Sequence, residues 1–354
     1  DYNLTLFFLN LSIVFAKSQN LNIFKISRHD YIWKKKNRKN IFYFILFLTF
    51  ILSIINSIYQ YSSFDKTLKN QNFDERHQLI NGDIKDFWSE GHSISEDIKN
   101  GKNYFETGGE YRRPYLPSRL FALYSLISSE KLIDQNHKVL EGGKKILFLF
   151  VQSIFFYFLL FFLYKKIVNF FPILTSQIIV LFLAIEPTIF MYHSSFWSES
   201  IFLSFLLILI LMILKNEINN LNLFFIGFML GILYLQRSVA IFYILPILLY
   251  FLFKDKRKFF KIFSFISIGY LVIHLFVGYH NFIRLGTFYS ISTQAKDGIY
   301  IYLAPLVLSK NQKITQNEAL NYLNEKKLKW VVEEKINLDL EIDRLKYYDF
   351  QRKE

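Results

Sequence analysis

Hydrophobic and polar positions follow a long-wavelength pattern along this chain. Long runs of Phe, Leu and Ile recur, each closed at one end by Lys or Arg. The runs are Ile41–Tyr59, Ile146–Tyr164, Ile173–Tyr192, Trp197–Leu214, Leu221–Leu235, Val239–Phe253 and Phe259–Val277. A helix needs about 17–25 mostly apolar residues to cross a bilayer, so the pattern predicts about seven transmembrane helices. The fifth and sixth runs are short and meet at Gln236-Arg237-Ser238. Joined into one helix, they would bury Arg237 at mid-membrane, at about 2.5–3.5 kcal/mol even on the lenient insertion scale. Two tilted passes with Arg237 at the turn cost less. The seventh run contains Lys261 and His274.

The basic residues set the sidedness, because short cytoplasmic loops are enriched in Lys and Arg. Lys25, Arg28, Lys34, Lys35, Lys36, Arg38 and Lys39 precede the first run, and Lys165 and Lys166 follow the second. Lys215 follows the fourth, and Lys254, Lys256, Arg257 and Lys258 follow the sixth. Successive clusters are two runs apart, so all fall on one side. The expected layout is a cytoplasmic or interfacial segment 1–40 and a transmembrane domain 41–278 with an extracytoplasmic first loop 60–145. An extracytoplasmic amphipathic tail, 279–354, follows. The chain is read as an all-α, multi-pass protein of the plasma (inner) membrane.

Composition agrees: 41 Phe and 52% hydrophobic residues lie far outside the soluble range. The net charge of +13 sits beside the apolar runs and forms no separate basic domain, which argues against nucleic acid as a partner. The absence of cysteine excludes disulfides, thiol catalysis and cysteine metal sites. Residues 1–16 are apolar but short, and lack the basic start and cleavage site of a signal peptide. Asp1 stands in place of an initiator Met and the chain stops within a charged helical pattern, so a truncated product is expected.

Within the first loop, Phe87, Trp88, Ile94 and Ile98 are spaced for an amphipathic interfacial helix. Gly101, Gly108 and Gly109 break it, and Arg113-Pro114-Tyr115-Leu116-Pro117 forces an extended turn. Leu116–Ile127 is too short to span and reads as re-entrant or interfacial. Asn281–Thr293 has strand or loop character, and 315–354 reads as a solvated amphipathic helix pair.

No phosphate loop, dinucleotide fingerprint, zinc-type His pair or nucleophile elbow is present. What remains is polar residues assigned to one membrane face. Asp83, Asp86, Glu90, His92, Arg112, Arg113 and Tyr115 come from the first loop. Glu186, His193, Trp197 and Glu199 lie around the third-to-fourth turn. Gln236, Arg237, His280, Asn281 and Arg284 lie at later helix ends. A carboxylate can accept a proton from an attacking hydroxyl, and Arg can hold a departing phosphate by charge-assisted bonds. Each has a plainer reading: solvated carboxylates for Asp83 and Asp86, a helix-dipole partner for Glu199, a snorkelling side chain for Arg237 and a hydrogen-bonded interfacial histidine for His193. Asp83 and Asp86 also leave room for a divalent cation such as Mg²⁺.

Four segments, in order, resemble GT-C membrane glycosyltransferases of the protein O-mannosyltransferase and aminoarabinose transferase type. They are Gly82-Asp83-Ile84-Lys85-Asp86-Phe87-Trp88 with the Arg113–Pro117 turn; Glu186-Pro187 with Tyr192–Ser195 and Ser198-Glu199; Gly227-x3-Gly231 with Leu235 and Arg237; and Asn281 with Gly286 and Ser290–Thr293. The resemblance implies a polyprenyl-phosphate-linked sugar as donor and a lipid, glycan or protein as acceptor. It puts Asp83 at the position of the catalytic acid residue, with Asp86 as helper. Arg113 and Arg237 are expected on the lipid phosphate, and Tyr115, His193, Trp197, Glu199 and Asn281 around the substrate, with Trp88 and Trp197 offering faces for sugar stacking. Phe87 stands where the family commonly has Tyr, and Ser238 where it often has Pro. A transporter or flippase for a lipid-linked or anionic substrate, or a non-catalytic scaffold, remains an alternative reading of the residues alone.

Overall fold

The computed structural model describes residues 32–70, 83–108, 114–129, 145–193, 198–215, 219–286, 288, 303–337 and 346. Among them every regular element is helical. Helix α1 is Ile32–Asn70, α2 Asp83–Lys99, α3 Tyr115–Ser128, α4 Lys145–Ile167, α5 Ile173–Ile185 and α6 Pro187–His193. Then follow α7 (Ser198–Ile213), α8 (Asn220–Gln236), α9 (Ile244–Lys254), α10 (Phe259–Leu285), α11 (Ala304–Gln312) and α12 (Gln316–Glu333).

Each of the seven apolar runs is helical, but they differ in reach. Three stretches, Asn40–Tyr59, Ile146–Ile167 and Lys256–Leu285, are long and apolar enough to cross a membrane. A fourth crossing arises if α5 and α6, bent by 57°, form one broken span. The remaining runs give shorter apolar helices, Ser198–Ile213, Asn220–Gln236 and Ser238–Lys254. Phe44 (65% exposed) and Phe260 (82%) lie on the long helices, as expected of faces turned to lipid rather than water. The protein is an integral membrane protein built from helices.

The bend between α5 and α6 has a local cause. Pro187 lacks an N–H and cannot continue the α5 ladder. Glu186 closes α5 by donating its backbone N–H to Phe182, and its carboxylate accepts the Ile189 N–H at 2.8 Å. An acid buried in an apolar run thus satisfies one donor at the start of the next helix.

Packing is closest between α8 and α10. A Cβ added to Gly227 would stand 1.9 Å from the Ile266 carbonyl oxygen, one on Gly269 would stand 2.0 Å from that of Phe224, and one on Gly231 would meet Ile273 at 2.8 Å. Small residues let backbones approach where the hydrophobic effect gives no drive between helices. Because the opposing atom is backbone, Gly269→Val must part the two helices. It is expected to destabilise the bundle by at least the roughly 1–3 kcal/mol typical of overpacking. Thermal unfolding in detergent checks this, and a melting temperature equal to wild type would rule the close crossing out.

The same contacts fix direction. Gly227 meets Ile266 and Gly231 meets Ile273, so α8 and α10 run parallel, and Arg237 and His280 lie at one end of the bundle. The starts of α4 and α7 and the end of α6 join that end through hydrogen bonds of His193. At the other end Phe42 of α1 packs on Tyr164 of α4, with ring centroids 4.2 Å apart. Lys165 and Lys166, at the close of α4, therefore lie at the opposite end from the polar residues.

Two expectations need correction. Asn281 does not open a strand or loop: α10 runs on to Leu285 and stops at Gly286, whose φ of 70° suits glycine. Most of the rest of Asn281–Thr293 lies outside the described residues. The tail helix expected from about 315 starts there: Thr315 and Glu318 form a capping box before α12, and most of the stretch expected to hold the second helix of that pair lies outside the described residues. Trp88 offers no face for stacking: it is buried against Phe121, ring centroids 4.8 Å apart.

Candidate active site

Two polar clusters occupy the end of the bundle where the candidate residues gather. The first joins α4, α6, α7 and α8. Glu199, in the first turn of α7, forms an ion pair with Arg237, which caps α8 in extended conformation. Both side chains are partly exposed. One residue earlier on each partner, Gln236 Nε2 donates to the Ser198 carbonyl at 2.9 Å. The two adjacent bonds clasp the start of α7 to the end of α8 and fix where the guanidinium sits. Behind this clasp His193 is buried, its ring stacked 3.6 Å from that of Phe156. Its Nδ1 stands 2.6 Å from Ser200 Oγ, and its carbonyl accepts from Gln152 Nε2 and Ser153 Oγ at 2.9 and 3.0 Å.

The second cluster joins α2, the 3₁₀ turn Tyr104–Glu106, α3 and α10. Gly91 brings α2 against α3, since a Cβ there would lie 2.8 Å from the Ser118 carbonyl oxygen. This places the buried Glu90 carboxylate 2.6 Å from Arg119 Nη1 and 2.5 Å from Ser118 Oγ, which donates to it. The Arg119 guanidinium carbon lies 3.9 Å from the centre of the Tyr115 ring. Tyr115 and Tyr104 share a hydroxyl–hydroxyl bond of 2.9 Å, and His280 Nε2 donates to the Tyr104 carbonyl at 3.2 Å. Gly108, at φ 157°, leaves space that the Arg284 side chain fills; a Cβ there would lie 3.0 Å from its guanidinium.

Electrostatics keep this cluster in one protonation state. Burial pushes the Tyr115 phenol well above its ordinary value, and the Arg119 charge opposes this only in part. Burial, the largest effect, would lower the Arg119 pKa, but the Glu90 carboxylate together with Tyr115 and Tyr104 more than offsets it and the net shift is upward. Tyr115 is therefore a neutral hydroxyl and Arg119 a permanent cation. The two clusters adjoin: Tyr115 and Leu116 pack against the core group that holds Tyr234, Leu235 and Val277.

The sequence-predicted residues are placed unevenly. Glu199 and Arg237 are brought together directly. Tyr115 lies in the second cluster, and the buried Asn281 neighbours His280 in it. His193 is near Glu199 in space, through Ser200, yet only 1% exposed. Asp83 and Asp86 fall in the first turn of α2. Arg113 and Trp197 lie outside the described residues. Among the described residues no three His, Asp or Glu side chains converge on a metal-binding position. Sequence reasoning missed Arg119, Ser118 and Tyr104. The available signal was Arg119 one turn after Tyr115 in a segment already read as an interfacial helix.

An acid–arginine clasp thus stands at the end of the bundle that carries the family-like motifs. Residues 132–280 match the family model described as dolichyl-phosphate-mannose-protein mannosyltransferase, a GT-C type family. The resemblance read from the motifs is borne out over this stretch, and the enzyme class with it. The match includes His193, Glu199, Arg237 and His280; Asp83, Asp86, Arg113, Tyr115 and Asn281 lie outside it. No curated protein and no solved structure matches the chain.

Proposed function

We propose that this enzyme moves a sugar from a polyprenyl-phosphate-linked donor to an acceptor hydroxyl at the extracytoplasmic face of the inner membrane. The observation that carries this reading is the Glu199–Arg237 pair, partly exposed at a helix end inside the segment matched to the family. A guanidinium held there by a carboxylate is pre-organised for a second anion, and a lipid phosphate reaches it from the bilayer side.

In this mechanism the acceptor oxygen attacks the anomeric carbon and the bond from that carbon to the phosphate oxygen breaks. The acceptor proton passes to Asp83, with Asp86 as helper, and the lipid phosphate leaves against Arg237 and Arg113. Tyr115, Trp197, Glu199 and Asn281 line the substrate side. His193, buried behind the clasp, acts as a positioning residue: its ring and carbonyl hold α6 and the start of α7 where Glu199 meets Arg237. Lipid, glycan and protein acceptors all supply the required hydroxyl.

The test is sugar transfer by the purified chain in proteoliposomes, using polyprenyl-phosphate-linked sugars as donors. Arg237→Gln is expected to raise the donor KM about 10–100-fold, the loss of one charged hydrogen bond to phosphate, with partial rescue by Arg237→Lys. A donor KM equal to wild type in Arg237→Gln would remove Arg237 from the phosphate.

A further inference from the structure

The polar end does not use the tail hairpin, and that hairpin has an apolar stripe facing outward. On α11 and the residue before it, Leu303, Leu306 and Val307 recur at i, i+3 and i+4 and are 50%, 40% and 49% exposed. Lys310 continues the stripe at i+7, and Lys313 follows in left-handed conformation as the C-cap. Pro305, on another side of α11, is buried, as are Ala319 and Leu323 of α12. The two helices thus pack on each other and leave the stripe uncovered. Neither helix is among the membrane-crossing candidates. On α12, Leu328 and Val332 are exposed one turn apart, among both lysines and acids, with Lys329 paired to Glu333.

Two observations say what covers the stripe. The first is the tether: α10 is a candidate span ending at Leu285, and α11 begins at Ala304. The 18 residues between them extend to roughly 60 Å at most, so the hairpin is held close to the bilayer at high effective concentration. The second is charge, because Lys310 and Lys313 close the stripe on α11, a helix that carries no acid. Apolar side chains bordered by Lys suit a helix lying in the interface, where stems reach the acyl boundary and ammonium groups meet anionic headgroups.

We infer that α11 docks on the surface of a bilayer containing anionic phospholipid, with Leu303, Leu306 and Val307 set into the headgroup–acyl boundary. The chain has no cysteine, so one introduced thiol gives it a unique label. Leu306→Cys and Val307→Cys would carry an environment-sensitive fluorophore, with Asn317→Cys on exposed α12 as control. The vesicles would be phosphatidylcholine with or without phosphatidylglycerol.

With phosphatidylglycerol present, the labels at 306 and 307 are expected to be blue-shifted, quenched by doxyl-labelled lipid and shielded from iodide, while the label at 317 stays open to iodide. Omitting phosphatidylglycerol should weaken the shift at 306 and 307. Iodide access at 306 equal to that at 317 would overturn the docking. So would shielding from iodide without quenching by doxyl lipid, since protein (a second copy or another segment of this chain) would then cover the stripe. A signal unchanged without phosphatidylglycerol would overturn the role of anionic lipid.

Discussion

Glu90→Ala is expected to be among the most destabilising single changes in this protein, at about 3–5 kcal/mol. The carboxylate is buried, and it holds Arg119 at 2.6 Å and Ser118 at 2.5 Å. Without it, a buried guanidinium keeps its charge, because nothing in its surroundings lowers its pKa far enough to release the proton. The penalty is that of an unpaired ion, much more than the net worth of the pair. A double replacement, Glu90→Leu with Arg119→Met, removes both charges and keeps apolar volume. It is expected to recover most of the loss. Denaturation in detergent across this mutant cycle checks the claim. If the single Ala variant is as stable as wild type, the pair is solvated and the second cluster is not a buried core.

The consequence reaches beyond stability. Arg119 lies over Tyr115, Tyr115 bonds Tyr104, and the Tyr104 carbonyl accepts from His280 on α10. Glu90 is thus the start of a chain of contacts that fastens the first-loop helices to the bundle. Since α2 begins at Asp83, the proposed base depends on this fastening for its position relative to Arg237.

Much of the architecture was legible in the sequence because membrane helices write a coarse signal. A run of Phe, Leu and Ile needs no partner to declare itself, and each such run is helical, though only three or four reach span length. The Gly227-x3-Gly231 spacing, read in the sequence only as a family-like motif, marks the face that meets α10, which contributes Gly269. The failures have a different cause. Trp88 reads equally as a sugar platform or a core residue, and Phe121, 33 positions away, decides it. His193 fits a substrate-facing histidine until Phe156 and Ser200 are seen to enclose it. Arg119 carries no local motif at all; only the close approach at Gly91 brings Glu90 within reach of it. Burial of polar residues is set by contacts between distant segments, which no short window contains.

Asp83→Asn is expected to lower kcat about 10²–10⁴-fold, the usual worth of a positioned general base, with the donor KM little changed. The choice of Asn keeps shape and hydrogen bonding while removing the proton acceptor. Asp83 and Asp86 both stand in the first turn of α2, where an acid interacts favourably with the helix dipole, typically by about 0.3–1 kcal/mol. Losing that much leaves the fold intact, so a collapse of turnover reports chemistry rather than unfolding. Asp86→Asn separates the two roles: a smaller loss keeps Asp86 as helper, whereas a larger loss than in Asp83→Asn exchanges the assignments. Full turnover in both variants would mean that neither acid of this turn takes the acceptor proton. The pH profile of kcat adds a readout that a purely structural role would not move. A single carboxylate base gives an acid limb in wild type, and that limb should vanish from the residual activity of Asp83→Asn.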